Sequence, residues 1–78
     1  MTRREMLLLL DQIVEVEPGT LSESDSLASI DGWDSLAVIV FQAEVDEKLG
    51  MVAQPAELAR CKTVQDLINL VDDQLTAA

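Results

Sequence analysis

The chain has 78 residues, with 15 Asp and Glu against five Lys and Arg, for a formal net charge of −10. That length makes one small domain, able to bury only about 60% of the surface its unfolded chain exposes. The charge excludes nucleic-acid binding, which draws its affinity from basic groups on phosphates, and disfavours anionic membranes. A basic patch on a protein partner would instead be attracted and steered in. Hydrophobic residues make up 49% of the chain, with Trp33 and Phe41 as its aromatics. The core is therefore aliphatic, which suits helices packed on helices and outweighs the disorder that such a charge alone would suggest.

Thr2-Arg3-Arg4-Glu5 fits a capping box, and Leu7, Leu10, Ile13 and Val14 follow at helical spacing. Pro18-Gly19 stops this segment, so the first helix is predicted over residues 3–16. Its Arg3-Arg4 pair faintly resembles a twin-arginine export signal, but the apolar run from Met6 ends at Leu10, before Asp11. An export signal needs about 7–15 apolar residues and a membrane span about 20, so the sequence reads as cytoplasmic and soluble. Residues 17–33 are rich in Ser, Asp, Gly and Pro and keep neither helix nor strand period. Leu21, Leu27 and Ile30 within them favour a loop pinned to a core. Asp34 is a good N-cap and Gly50 a good stop, bounding a helix over 35–49. Gln54-Pro55 begins a short helix over 55–60, with proline in the first turn. Thr63 to Asp66 forms a second capping box, and Val64, Leu67, Ile68, Val71 and Leu75 make an apolar stripe for a helix over 64–75. The expected fold is all-α: one domain over 1–78, a four-helix bundle with a long first loop and a short third helix.

The helix over 35–49 carries two apolar arcs at roughly 100° per residue. Val38, Phe41, Val45 and Leu49 face one way, toward the first and last helices. Leu36, Ile39, Val40 and Ala43 face another. A surface helix needs one such stripe, so the second is covered by the loop, forms a pocket, or docks a partner.

Chemistry-bearing residues are few. The chain has no His, and its single Cys61 excludes an internal disulfide and a multi-cysteine metal site. A lone cysteine beside apolar segments reads as a small hydrophobe. Two serines share the tripeptide Asp-Ser-Leu, Ser26 and Ser35, yet neither has the base that an activated nucleophile requires. The natural role is a serine displayed for another enzyme to modify. Ser35 falls at the first residue of a helix, where free amides and the helix dipole would stabilise an attached phosphate. Ser26 falls in mid-loop and reads as a turn residue.

Gly32-Trp33-Asp34-Ser35-Leu36, followed by an apolar helix ending in Glu47-Lys48-Leu49-Gly50, resembles the attachment site of acyl carrier proteins, and the helix order resembles theirs along nearly the whole chain. The resemblance implies a non-catalytic, free-standing acyl carrier, monomeric, with 4′-phosphopantetheine attached covalently to Ser35 by a phosphopantetheinyl transferase. Asp34 and Leu36 would flank that site. The terminal thiol of the group would hold an acyl chain, or an aminoacyl or peptidyl group, as a thioester. A loading ligase would supply the cargo, and downstream synthase or transferase enzymes would take it on. Trp33, Leu36, Ile39, Val40, Ala43, Glu44 and Glu47 would form the partner and cargo surface. Carriers of fatty-acid synthesis place acidic residues in the first turns after Asp-Ser-Leu. This chain has Ala37-Val38-Ile39-Val40-Phe41 there, with acid returning at Glu44, Asp46 and Glu47. That departure favours a specialised polyketide, peptide or modified-lipid pathway over housekeeping fatty-acid synthesis. The rival of a different class is an unmodified acidic adaptor that uses its second apolar stripe as a groove.

Overall fold

Thr2 opens the first helix as expected from its box: its hydroxyl accepts the Glu5 amide and the Glu5 carboxylate accepts the Thr2 amide. In the computed structural model, which describes residues 1–75, helix α1 runs Arg3–Ile13 and α2 Ser35–Leu49. Helix α3 covers Pro55–Arg60 and α4 Val64–Leu70. Short 3-10 turns lie at Leu27–Ser29 and Asp72–Gln74. Residues 76–78, the end of the domain expected over 1–78, lie outside the described residues. The fold is all-α, with no strand among the described residues; one isolated bridge pairs Ser26 with Thr63.

Two helix ends differ from their sequence expectation. Helix α1 stops at Ile13, short of residue 16, because Glu15 turns left-handed at φ 61°. Its amide and that of Val16 fold back onto the carbonyls of Gln12 and Asp11, at 3.2 and 3.0 Å. This is a Schellman closure with glutamate where glycine usually stands. A side chain there costs about 1–2 kcal/mol, of which about 0.4–1 returns through the lower entropy of the unfolded chain. Glu15→Gly is thus expected to stabilise the fold by about 0.5–1 kcal/mol, read as a rise of several degrees in thermal unfolding, while Glu15→Ala leaves the midpoint unchanged. Helix α4 likewise breaks after Leu70, well before residue 75. Asn69, Asp72 and Asp73 are weak helix formers, and carboxylates oppose the dipole at a helix C-terminus. Arg3 holds Asp72 aside at 2.6 Å. The chain then tightens into a 3-10 turn, the Val71 amide taking the Ile68 carbonyl at 3.1 Å.

The core sits where α1, α2 and α4 meet. Met6, Phe41, Val45, Val64, Leu67, Ile68 and Val71 are completely buried there, with Leu10 nearly so. Leu75 packs half-buried against them. On α1 the burial shifts toward Met6 and Leu9, leaving Leu7 and Ile13 half-buried. Leu21 and Leu27 pin the long loop to this core. Its backbone is tied to the start of α4: the Leu27 amide reaches Lys62 O at 2.9 Å, and the Val64 and Gln65 amides reach Asp25 O and Glu23 O at 3.0 and 2.8 Å. The loop is thereby an ordered strap that delivers residues 30–34 to the start of α2.

Candidate functional site

The approach to α2 is fixed by close packing. A Cβ on Gly32 would lie 2.6 Å from the Val14 carbonyl oxygen, so only glycine lets the loop pass this near the end of α1. Trp33 follows, half-buried, with its ring edge-on to Phe41 at a centroid distance of 5.9 Å. Asp34 then adopts an extended backbone, and its Oδ1 accepts the Ala37 amide at 2.9 Å. The helix begins at the next residue.

Ser35 is exposed at that first helical position. Asp34, not Ser35, caps the helix, so the serine hydroxyl has no structural duty among the described hydrogen bonds. The amides of Ser35 and Leu36 also find no partner among the described residues, as expected at a helix N-terminus. No acidic residue lies in the first turn of α2. A phosphodiester on Ser35 would therefore meet free N–H groups and the positive end of a 15-residue helix. The residues present fit such a group. Ser26 is exposed as well, but it precedes only a three-residue 3-10 turn and makes no side-chain cap.

Beyond Ser35, α2 keeps its two faces apart. Ala37, Phe41 and Val45 are buried, and Val38 and Leu49 half-buried. Leu36, Ile39 and Val40 stay exposed at 68%, 60% and 36%, and Ala43 is exposed beside them. The loop does not cover this stripe. Glu47 continues it in solvent, and Glu44 flanks it, paired with Lys48 at 3.4 Å. The structure therefore gathers Leu36, Ile39, Val40, Ala43, Glu44 and Glu47 on the outer side of one helix. Trp33 is not among them, since it packs against Phe41 in the wall of a separate cleft.

Three contributors to the site carry little sequence signal. Ala37 is buried at the α1 crossing, Gly32 makes its close approach with no left-handed turn, and Asp11 anchors the loop from α1. Asp11 was detectable as a carboxylate interrupting an apolar helical face, and Gly32 only as part of the Gly-Trp-Asp-Ser-Leu stretch. Cys61 is half-buried and its thiol donates to the Glu57 carbonyl at 3.4 Å. Burial, helped by Asp66 and Glu57, pushes its pKa up, which keeps the thiol protonated and unreactive. Among the described residues no cluster could hold a metal ion, and no helix is long and apolar enough to cross a membrane.

The chain is a member of the phosphopantetheine attachment site family, whose model matches residues 5–71, from the first turn of α1 to the end of α4. It is a carrier bearing 4′-phosphopantetheine, which this family holds covalently on a serine, and such domains are not themselves catalysts. Carriers of this kind interact with phosphopantetheinyl transferases and biosynthetic enzymes. No curated protein and no solved structure matches the chain significantly.

Proposed function

We propose that Ser35 is the attachment point, with Asp34 and Leu36 flanking it, and that the protein is a cytoplasmic, monomeric carrier of acyl or aminoacyl intermediates. The observation that carries this reading is an exposed serine at the first position of α2, a helix capped by Asp34, with its hydroxyl in no hydrogen bond among the described residues. The attached group supplies the terminal thiol on which a thioester forms. The chain's own residues would display that group: Asp34 holds the helix start, Gly32 sets the close approach to α1, and the Ser35 and Leu36 amides would be available to a phosphate on Ser35. Incubating apo-protein with a broad-specificity phosphopantetheinyl transferase, coenzyme A and magnesium should add the mass of one phosphopantetheine. An unchanged intact mass overturns the proposal.

The exposed apolar stripe supports service in a specialised polyketide, peptide or modified-lipid pathway. A loading ligase and a downstream synthase or transferase would meet Leu36, Ile39, Val40 and Ala43 near Ser35, with basic groups opposite Glu44 and Glu47 further along. Apolar contact near the reacting end then supplies much of the affinity, and charge sets approach and orientation. Val40→Glu places a charge in the middle of that stripe at a partly exposed position. Loading by the natural ligase is expected to fall about tenfold in kcat/KM, the equivalent of about 1.4 kcal/mol, with the thermal midpoint nearly unchanged. An unaffected loading rate places the docking surface elsewhere.

A further inference from the structure

We infer that the turn closing α1 is a positioning element for the modification of Ser35, acting through Gly32, an inference that rests on Ser35 being the attachment point. That turn is tightly held. The amides of Val14, Glu15 and Val16 fold back onto the carbonyls of Leu10, Gln12 and Asp11 at 3.0, 3.2 and 3.0 Å, and the Val14 side chain is buried. It also meets the strap at both ends. The Asp11 carboxylate takes the Gly19 and Leu21 amides where the strap begins, and Val14 backs Gly32 where it ends. A Cβ on Gly32 would fall 2.6 Å from the Val14 oxygen, 2.9 Å from its Cβ and 3.0 Å from its Cα. Gly32 is not one of the left-handed glycines, so the approach to Val14, not backbone conformation, is what requires a glycine there.

Close carbon–oxygen contacts settle at about 3.3 Å or more, so a side chain at residue 32 displaces backbone by about 0.7 Å. The closed turn of α1 resists, and the displacement passes to the strap. Between Gly32 and Ser35 there is no slack to absorb it. The Trp33 amide donates to the Ile30 carbonyl at 3.1 Å, its ring lies edge-on to Phe41, and Asp34 Oδ1 takes the Ala37 amide at 2.9 Å. A shifted strap draws Asp34 off that amide and loosens the first turn of α2, while Phe41 and Val45 hold the rest of the helix in the core. In the transfer, the Ser35 hydroxyl oxygen bonds to the pantetheine-bearing phosphorus of coenzyme A as the P–O–P link breaks. Adenosine 3′,5′-bisphosphate leaves, and the hydroxyl proton passes to a base of the transferase. Misplacing reacting atoms by about 1 Å can cost about a hundredfold in rate. Affinity is set elsewhere, since Ile39 and Val40 lie beyond the first turn and keep their exposed places. The signature is a loss of kcat with KM retained.

The test measures transferase kinetics on apo-protein well below every melting midpoint, with intact mass verifying modification of wild type and circular dichroism verifying each fold. Gly32→Ala is expected to lose at least about tenfold in kcat, with KM for the carrier within about twofold of wild type. Ile68→Val is the control: it trims a completely buried side chain of α4, so it lowers stability and leaves both constants unchanged. Amide spectra of ¹⁵N-labelled protein give a second readout. In Gly32→Ala the Ala37 amide should shift and lose protection from exchange, while those of Phe41 and Val45 stay as in wild type. If Gly32→Ala does not fold, Asp11→Asn, which weakens the other tie of the same turn, must show the same lowered kcat and retained KM. No mass gain on wild type overturns the attachment and the positioning together. A mass gain with kcat undiminished in the strap variant, with the loss carried by KM, or with an equal loss in Ile68→Val, overturns the positioning alone.

Discussion

Ser35→Ala is expected to abolish phosphopantetheine transfer completely while leaving the fold as stable as before. The chemical half of this expectation is all-or-none, because the hydroxyl oxygen is the atom that would take the phosphate. The structural half follows from Asp34 serving as N-cap, accepting the Ala37 amide at 2.9 Å, so that the helix start survives loss of the serine. Alanine is also about half a kcal/mol better than serine within a helix, and an exposed substitution of this kind stays within about 0.5 kcal/mol. Ser26→Ala is the matched control, since both serines are exposed within the same tripeptide. The Ser26 carbonyl accepts the Ser29 amide and hydroxyl at 3.0 and 2.7 Å, and its backbone pairs with Thr63. These contacts are all made by its backbone, so alanine preserves them and the adduct should form as in wild type. Intact mass of the two variants after transferase treatment reads the result, and circular dichroism verifies folding. An adduct surviving Ser35→Ala, or lost in Ser26→Ala, would sink the assignment.

The contrast between these serines shows what the sequence could disclose. Helix α2 was legible because its signals are local: a capping Asp34, fifteen residues without Gly or Pro, and a left-handed Gly50 that closes the end at φ 66°. The short α3 was equally plain from Pro55 at its first position. Face assignment was harder on α1, where five consecutive apolar residues from Met6 to Leu10 fit more than one helical stripe. Spacing favoured Leu7 and Ile13, and packing against α2 and α4 instead buried Met6 and Leu9. Spacing also ran α1 and α4 past their true ends, because a left-handed Glu15 and the weak helix formers after Leu70 leave the apolar period intact, and contacts distant in sequence then hold each end. Arg3 draws Asp72 across from α4, and the strap that follows Glu15 is drawn back onto α1. The exposed stripe Leu36, Ile39, Val40 was visible as a pattern, but whether the loop covered it was a tertiary question. Gly32 was quoted within the Gly-Trp-Asp-Ser-Leu stretch, yet its role depends on the Val14 carbonyl, eighteen residues earlier in the chain.

Asp11→Ala is expected to cost the fold about 3 kcal/mol and lower the thermal midpoint by more than about 10 °C in a domain of this size. Asp11 is 1% exposed, on a helix whose neighbouring turns are apolar. Its Oδ2 accepts the Gly19 amide at 2.8 Å and its Oδ1 the Leu21 amide at 2.9 Å. Each bond to a charged acceptor contributes about 1.5–3 kcal/mol, and the lower end applies at Gly19, where water can replace the lost partner. At Leu21, which is buried, water cannot enter and the amide is left unpaired. The clasp of Arg3 with Glu23 and Asp72 is a useful comparison, for it too joins the loop and α4 to the first helix. Its side chains are about a third to a half exposed, so such pairs are worth about 0–1 kcal/mol. Burial makes Asp11 the stronger tether. Asp11→Asn keeps one carbonyl acceptor and turns an amino group toward the second donor, so roughly half the loss is expected. Hydrogen exchange should show the Gly19 and Leu21 amides losing protection before those of α4, because the strap opens without the bundle. Residues 30–34 hang from that strap, so the start of α2 should loosen with it and phosphopantetheine transfer to Ser35 should slow even where the bundle is still folded. A melting midpoint within about 2 °C of wild type would show that Leu21 and Leu27 hold the loop by burial alone, with Asp11 adding nothing.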